Sequence, residues 1–161
     1  MQDQGPGDLV TCGHRAAREA RATLITGAVT RKEQAMGYGK DVREEMRVPS
    51  RELRHAIPQV YAGYKQLHDS ALAAGALDAR TKELIALAIA VSKECDGCIA
   101  AHAHAAVLHG ATPAEAAEAI GVTFLMNGGP ATVYGARAFA AFQEYYQLLA
   151  ARPDGQQPAA R

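Results

Sequence analysis

Apolar residues recur at a helical interval from Ser50 onward. Val60, Tyr61, Tyr64 and Leu67 form one stripe behind Pro58, a residue suited to a first helical turn, and Gly75 closes the segment. Asp78 stands where an N-cap belongs, ahead of a helix over 79–93. The centre of that helix, Leu84-Ile85-Ala86-Leu87-Ala88-Ile89-Ala90-Val91, is apolar all round, which marks a buried helix. A parallel strand shows a similar run, but Ala alternates here with Leu and Ile and β-branched residues are few, which favours helix. The next helix starts at Cys95 or Asp96 and runs to His109, with Gly110 in position to end it. Thr112-Pro113-Ala114-Glu115 has the order of a capping box with proline at the first helical position. That helix reaches Met126, and Asn127-Gly128-Gly129 breaks it. Pro130 opens the last helix, through Ala138, Phe139, Phe142, Tyr145 and Tyr146 to Leu149. No segment reads as a strand and no repeat has a fixed period. The expectation is one all-α domain of six or seven helices.

The periodicity also divides the chain. Residues 1–35 begin with a polar, Gly/Pro-bearing stretch and continue as an Ala/Arg segment with little apolar surface, so they read as a loosely ordered extension. Met36 opens the patterned region, 36–151, and could be the native start; 152–161 read as a tail. At 161 residues the chain is long enough to bury a core without staples. Abundant alanine favours helices and lets them pack closely. Seventeen basic residues balance seventeen acidic ones, so net charge gives no reason to expect nucleic acid or an anionic membrane as partner. The longest apolar run is far short of a membrane span and no apolar leader is visible, so a soluble, cytoplasmic protein is expected. Three cysteines, two of them close together, do not make a secreted disulfide framework. Cys12 reads as a bystander.

The stretch Cys95-Asp96-Gly97-Cys98-Ile99-Ala100-Ala101-His102 carries the chemistry. At about 100° per residue, Cys95, Cys98 and His102 fall within about 60° of one another on a helix. His109 shares the stripe two turns on, while His104 faces the opposite way. Two cysteines three apart at a helix N-terminus can close a disulfide, and the free N–H groups there stabilise a thiolate. His102 can take or relay a thiol proton, and a sulfenic acid on one cysteine can condense with the other thiol. Glu83, on the preceding helix, is the carboxylate available to orient His102.

Glu83, Cys95, Cys98 and His102 together spell E-x11-C-x2-C-x3-H. Over about residues 50–147 this spacing, with Gly75-Ala76-Leu77-Asp78, Lys82-Glu83-Leu84-Ile85 and Gly110-Ala111-Thr112 around it, resembles the alkyl hydroperoxidase D (AhpD) branch of the carboxymuconolactone decarboxylase family. The resemblance implies an AhpD-like helical bundle that assembles as a homotrimer or homohexamer. It implies reduction of a hydroperoxide, with Cys98 as peroxidatic nucleophile, Cys95 as resolving thiol, and Glu83 with His102 as proton relay. It implies a dithiol reductant, such as a lipoyl-bearing protein, and neither cofactor nor metal. Gly97 departs from the pattern, since well-studied AhpD proteins carry a histidine there; that shortens the relay and puts the rate or the choice of peroxide in doubt.

Other readings stand beside this one. The alternatives are a stoichiometric thiol–disulfide sensor and a lactone decarboxylase, which needs acid–base groups and no disulfide. Cys95, Cys98, His102 and a distant His55 or His68 are the donors a zinc site would need. Cysteine pairs are also found buried and inert, a lone His102 would be a core histidine, and Glu83 a solvated first-turn acid. His104 and His109 are expected at the surface or an interface, and Tyr134, Phe139, Phe142 and Tyr146 in the core or an interface. Asn127-Gly128-Gly129 is a turn and lacks the spacing of a phosphate loop.

Overall fold

A computed structural model describes residues 37–151. The expectations for 1–35, Cys12, Met36 and 152–161 lie outside the described residues. Six helices follow one another: α1 Lys40–Ala56, α2 Pro58–Leu72, α3 Ala79–Ser92, α4 Asp96–Leu108, α5 Pro113–Asn127 and α6 Gly129–Ala150. No strand occurs among the described residues, so the fold is all-α as the periodicity implied.

The helix ends follow local chemistry. Asp78 caps α3 by accepting the Thr81 N–H at 2.7 Å. That amide bond holds the Asp78 carboxyl below its usual range. Both halves of the capping box before α5 form: Thr112 Oγ1 accepts the Glu115 N–H at 3.3 Å, and Glu115 Oε2 accepts the Thr112 N–H at 2.8 Å. Gly110 ends α4 in the left-handed region at φ +82°; its N–H bonds the Val107 carbonyl and the Ala111 N–H bonds that of Ala106, a Schellman turn. One helix was not assigned from the pattern. α1 runs straight through Pro49, and its N-terminus is capped by the Glu144 carboxylate of α6, which accepts from Gly39 N–H at 3.1 Å and from Lys40 N–H. Gly39 is needed there, because a Cβ would sit 2.7 Å from the Tyr145 ring.

Helices α3 to α6 make the core. α4 packs on α3 and α6, and α5 packs on the same two helices from the other side. Leu87, Val91, Ile99 and Phe142 are the largest fully buried side chains, and most of the remaining buried apolar residues are alanines. Small side chains let the helix axes approach, and the buried run of α3 faces inward through Leu87, Ala90 and Val91. Its Ile85 and Ile89 do not; they are exposed on a shallow hollow between α3 and α5. α1 lies along α4, and α2 is tied to α3 by Lys82, whose Nζ donates to the Ala71 and Ala73 carbonyls at the end of α2. Among the described residues, no helix is long and apolar enough to cross a membrane.

Candidate active site

The turn between α3 and α4 sets the first cysteine. Lys93 is the last residue of α3 in helical conformation, and Glu94 follows in the left-handed region at φ +55°. The Glu94 N–H bonds the Val91 carbonyl and the Cys95 N–H bonds that of Ala90, the same Schellman pattern that ends α4. Cys95 is thereby fixed as the N-cap of α4, and its Sγ accepts the Cys98 N–H at 3.2 Å. The two sulfurs are joined as a disulfide across a Cα–Cα distance of 5.2 Å, inside the usual range. Cys98 is exposed and Cys95 half-buried.

His102 follows Cys98 by one helical turn on the same stripe of α4. Its Nδ1 lies 2.8 Å from Glu83 Oε2. Glu83 is only 3% exposed, in the first turns of α3, so a carboxylate is buried with imidazole as its partner. Ionised Glu83 can only accept, so Nδ1 carries the hydrogen and Nε2 is left for other work. The four residues singled out from their spacing thus form two bonded pairs, the disulfide at the start of α4 and the His102–Glu83 pair that ties α4 to α3.

Residues outside the motif complete the surroundings. Asp96, between the cysteines, is held by Arg137 of α6: Nη1 lies 2.9 Å from Oδ2 and 3.2 Å from Oδ1. The Asp96 carboxylate pushes the Arg137 pKa up. The guanidinium also lies 4.7 Å from the Tyr134 ring centre and 5.5 Å from that of Tyr38. Forty-one residues separate Asp96 from Arg137, and no local pattern announces the pair. His104, expected at the surface or an interface, is half-buried with its ring edge-on to Tyr145 at 4.8 Å. His109 caps the far end of α4 and is exposed, remote from the thiols along the helix. Phe142 is in the core as expected, and Tyr134 and Phe139 pack against it.

Beside Gly97 runs a groove of about 720 Å³ between α1 and α4. Lys40, Arg43, Arg47, Arg51 and Arg54 of α1 line it, opposite Gly97 and Ala101 of α4 and Tyr145 of α6. This signal was present in the sequence: positions 40, 43, 47, 51 and 54 repeat at helical spacing. Neither this groove nor the hollow between α3 and α5, about 550 Å³, has any of the four site residues in its walls, but the groove is lined by Gly97, the residue before Cys98. Among the described residues, no group of three or more His, Cys, Asp or Glu is arranged to hold a metal ion. His55 and His68, the fourth ligands a zinc site would require, line a separate hollow between α1 and α2.

The carboxymuconolactone decarboxylase family model matches residues 58–141, which contain Glu83, Cys95, Cys98 and His102 but not the basic stripe of α1. The chain belongs to this family. A carboxymuconolactone decarboxylase family protein from Legionella pneumophila, solved in its apo form, superposes with a TM-score of 0.64 at 37% identity, covering 66% of this chain and 96% of the other. An uncharacterized protein of Cupriavidus necator is 38% identical over 90 residues, 56% of this chain and 80% of its own length. An uncharacterized protein of Haemophilus influenzae is 43% identical over 91 residues, with the same two coverages. The carboxymuconolactone decarboxylase family, which includes decarboxylases and AhpD peroxidases, thus supplies the all-α fold and an AhpD-like core for the disulfide and its histidine–glutamate pair.

Proposed function

We propose that the chain is a dithiol-dependent hydroperoxide reductase. The observation that carries this is the Cys95–Cys98 disulfide at the start of α4, one turn from a His102 held by buried Glu83. In the reduced state Cys98, the exposed cysteine, meets the peroxide. His102 takes its proton through Nε2, and the thiolate attacks one peroxide oxygen. The O–O bond breaks, the alkoxide takes the proton from His102 and leaves as alcohol, and Cys98 becomes a sulfenic acid. The Cys95 thiol, deprotonated, attacks the Cys98 sulfur; hydroxide leaves and is protonated to water as the disulfide forms. One thiolate of a dithiol then attacks the Cys98 sulfur, and Cys95 departs as a thiolate stabilised by the Cys98 N–H that its sulfur already accepts; the dithiol's second thiolate attacks its own sulfur in that mixed disulfide and releases Cys98 as a thiolate. The sum is ROOH plus dithiol giving ROH, water and an oxidised dithiol, with a lipoyl group as a fitting dithiol. Gly97 carries no proton-bearing side chain, so Glu83 and His102 form the whole relay in this reading. Self-association fits the exposed apolar residues Val122, Leu125 and Met126 of α5 beside Ile85 and Ile89 of α3.

The test is peroxide consumption with dithiothreitol as reductant. The wild-type chain turns over, Cys98→Ser is inactive, and Cys95→Ser forms one trappable sulfenic acid without closing the internal disulfide. Undiminished activity in both variants removes the thiols from the mechanism and favours the lyase. A wild-type chain that oxidises once and does not turn over is a sensor.

A further inference from the structure

The groove between α1 and α4 has the character of a binding site. Its walls carry Lys40, Arg43, Arg47, Arg51 and Arg54 against one acid, Glu44, which pairs with Arg47 at 2.8 Å. Like charges gathered along one face repel, and a ligand of opposite charge relieves that repulsion. Apolar groups alternate with the cations, namely Val42, Met46 and Ala101. A second observation points the same way. Tyr145 lines the groove and is 7% exposed; Arg43 faces its hydroxyl, and no described residue accepts the hydroxyl's own hydrogen. Burial raises its pKa and the nearby Arg43 opposes the rise, so the phenol stays protonated and remains a donor. Buried donors are almost always paired, and an oxyanion in the groove would pair this one. The volume is within the range of small-molecule sites.

Location supplies the link to chemistry. Gly97 and Ala101 form the α4 wall, one turn apart, and Cys98 is the next residue after Gly97. Beyond its own helix backbone and chain neighbours, nothing lies within 4 Å of where a Gly97 Cβ would be, so the groove is open on this side. We propose that the groove holds the carboxylate of an organic acid whose other end carries the hydroperoxide reduced at Cys98. What reacts rests on the peroxidase reading; what binds rests on the groove alone.

Two measurements separate these. The first is calorimetric titration of the oxidised protein with octanoate and with 1-octanol. The second is kcat/KM for a medium-chain ω-hydroperoxy carboxylate and for its methyl ester. Octanoate is expected to bind and octanol not to, and the acid to be preferred over the ester by about tenfold at low salt, less at high salt. Arg47→Gln and Arg51→Gln should each lower octanoate affinity several-fold. Tyr145→Phe, which keeps the packed ring, should do the same and narrow the preference for acid over ester, an effect that mere loss of packing would not give. If octanoate binds with this dependence but no peroxide is consumed, the groove stands and the peroxidase reading falls. If a neutral hydroperoxide turns over through Cys98 while octanoate fails to bind and acid and ester react equally, the groove proposal is overturned. It is overturned too if Arg47→Gln slows only the reaction with a protein dithiol and not with dithiothreitol, since the stripe then serves an acidic protein.

Discussion

Helices α3 to α6 bury Leu87, Val91, Ile99 and Phe142 completely, whereas α1 and α2 bury no residue. Yet α2 has the cleaner amphipathic pattern: Val60, Tyr64 and Leu67 share a face, and all three are exposed. α3, by contrast, is apolar all round and shows its outer residues Ile85 and Ile89 to solvent. A helical stripe therefore signals a helix but does not say where its apolar face goes. An isolated helix of this length is marginal in water, so α2 is held by its proline start, by Lys82 at its end and by its contact with α1, where Arg54 lies 5.4 Å from the Tyr61 ring centre. α1 takes another course, with a basic face turned to the groove beside the thiols. The core half carries the buried packing, and α1 carries a basic stripe along its groove with α4.

Truncation is the harshest way to break this comparison. Phe142→Ala removes the largest buried side chain and should cost about 3–5 kcal/mol. Leu67→Ala, on the exposed stripe of α2, should change the stability of a single chain by less than about 0.5 kcal/mol. Urea denaturation of both variants measures the difference. A large loss from Leu67→Ala, vanishing on dilution, would show that α2 is covered by another copy of the chain.

The next effect lies within the core half, where packing and chemistry share Glu83. Glu83→Gln keeps the shape but removes the negative charge that stabilises the imidazolium during proton transfer, and kcat/KM for peroxide should fall about a hundredfold. The thermal midpoint should shift little, because the amide oxygen can still accept from Nδ1. An unchanged rate would separate the histidine–glutamate pair from the reaction.

These residues were legible in the sequence for a simple reason. Cys95, Cys98 and His102 lie within one stretch, where helical geometry alone decides what is adjacent. The caps at Asp78 and Thr112 and the end at Gly110 are local too, and each is found where the pattern put it. Arg137 could not be found this way, because its pairing with Asp96 depends on how α6 crosses α4. α1 was obscured by Pro49, which usually ends a helix and here does not. Its basic stripe was readable only once the helix was known to be continuous.

Arg137 offers a finer test of how the core half supports the thiols. It neutralises Asp96 between the two cysteines. Arg137→Gln leaves that carboxylate unpaired beside whichever thiol ionises, which disfavours the thiolate. In the reduced protein, the pH at which alkylation of the nucleophilic thiol reaches half its maximal rate should move upward, and Arg137→Lys should move it part of the way back. A purely structural Arg137 would change stability and leave that midpoint where it is.

The smallest effect comes from comparing the two Schellman turns inside the core half. Gly110 and Glu94 hold the same position, at φ +82° and +55°, with the same pair of backbone hydrogen bonds. Glycine adopts that conformation without steric cost, whereas a residue with a Cβ pays about 1 kcal/mol there. Glu94→Gly relieves that strain but adds freedom to the unfolded chain, so the net gain should be about 0.5 kcal/mol, a rise in thermal midpoint of about 2 °C. Gly110→Ala should lower stability by about 1 kcal/mol at the unstrained twin. Peroxide turnover should be unchanged in Glu94→Gly, because Cys95 is held by its own N–H on the Ala90 carbonyl and not by the Glu94 side chain. A stabilised variant with slower turnover would instead mean that the strained turn helps to set the angle at which Cys95 meets Cys98.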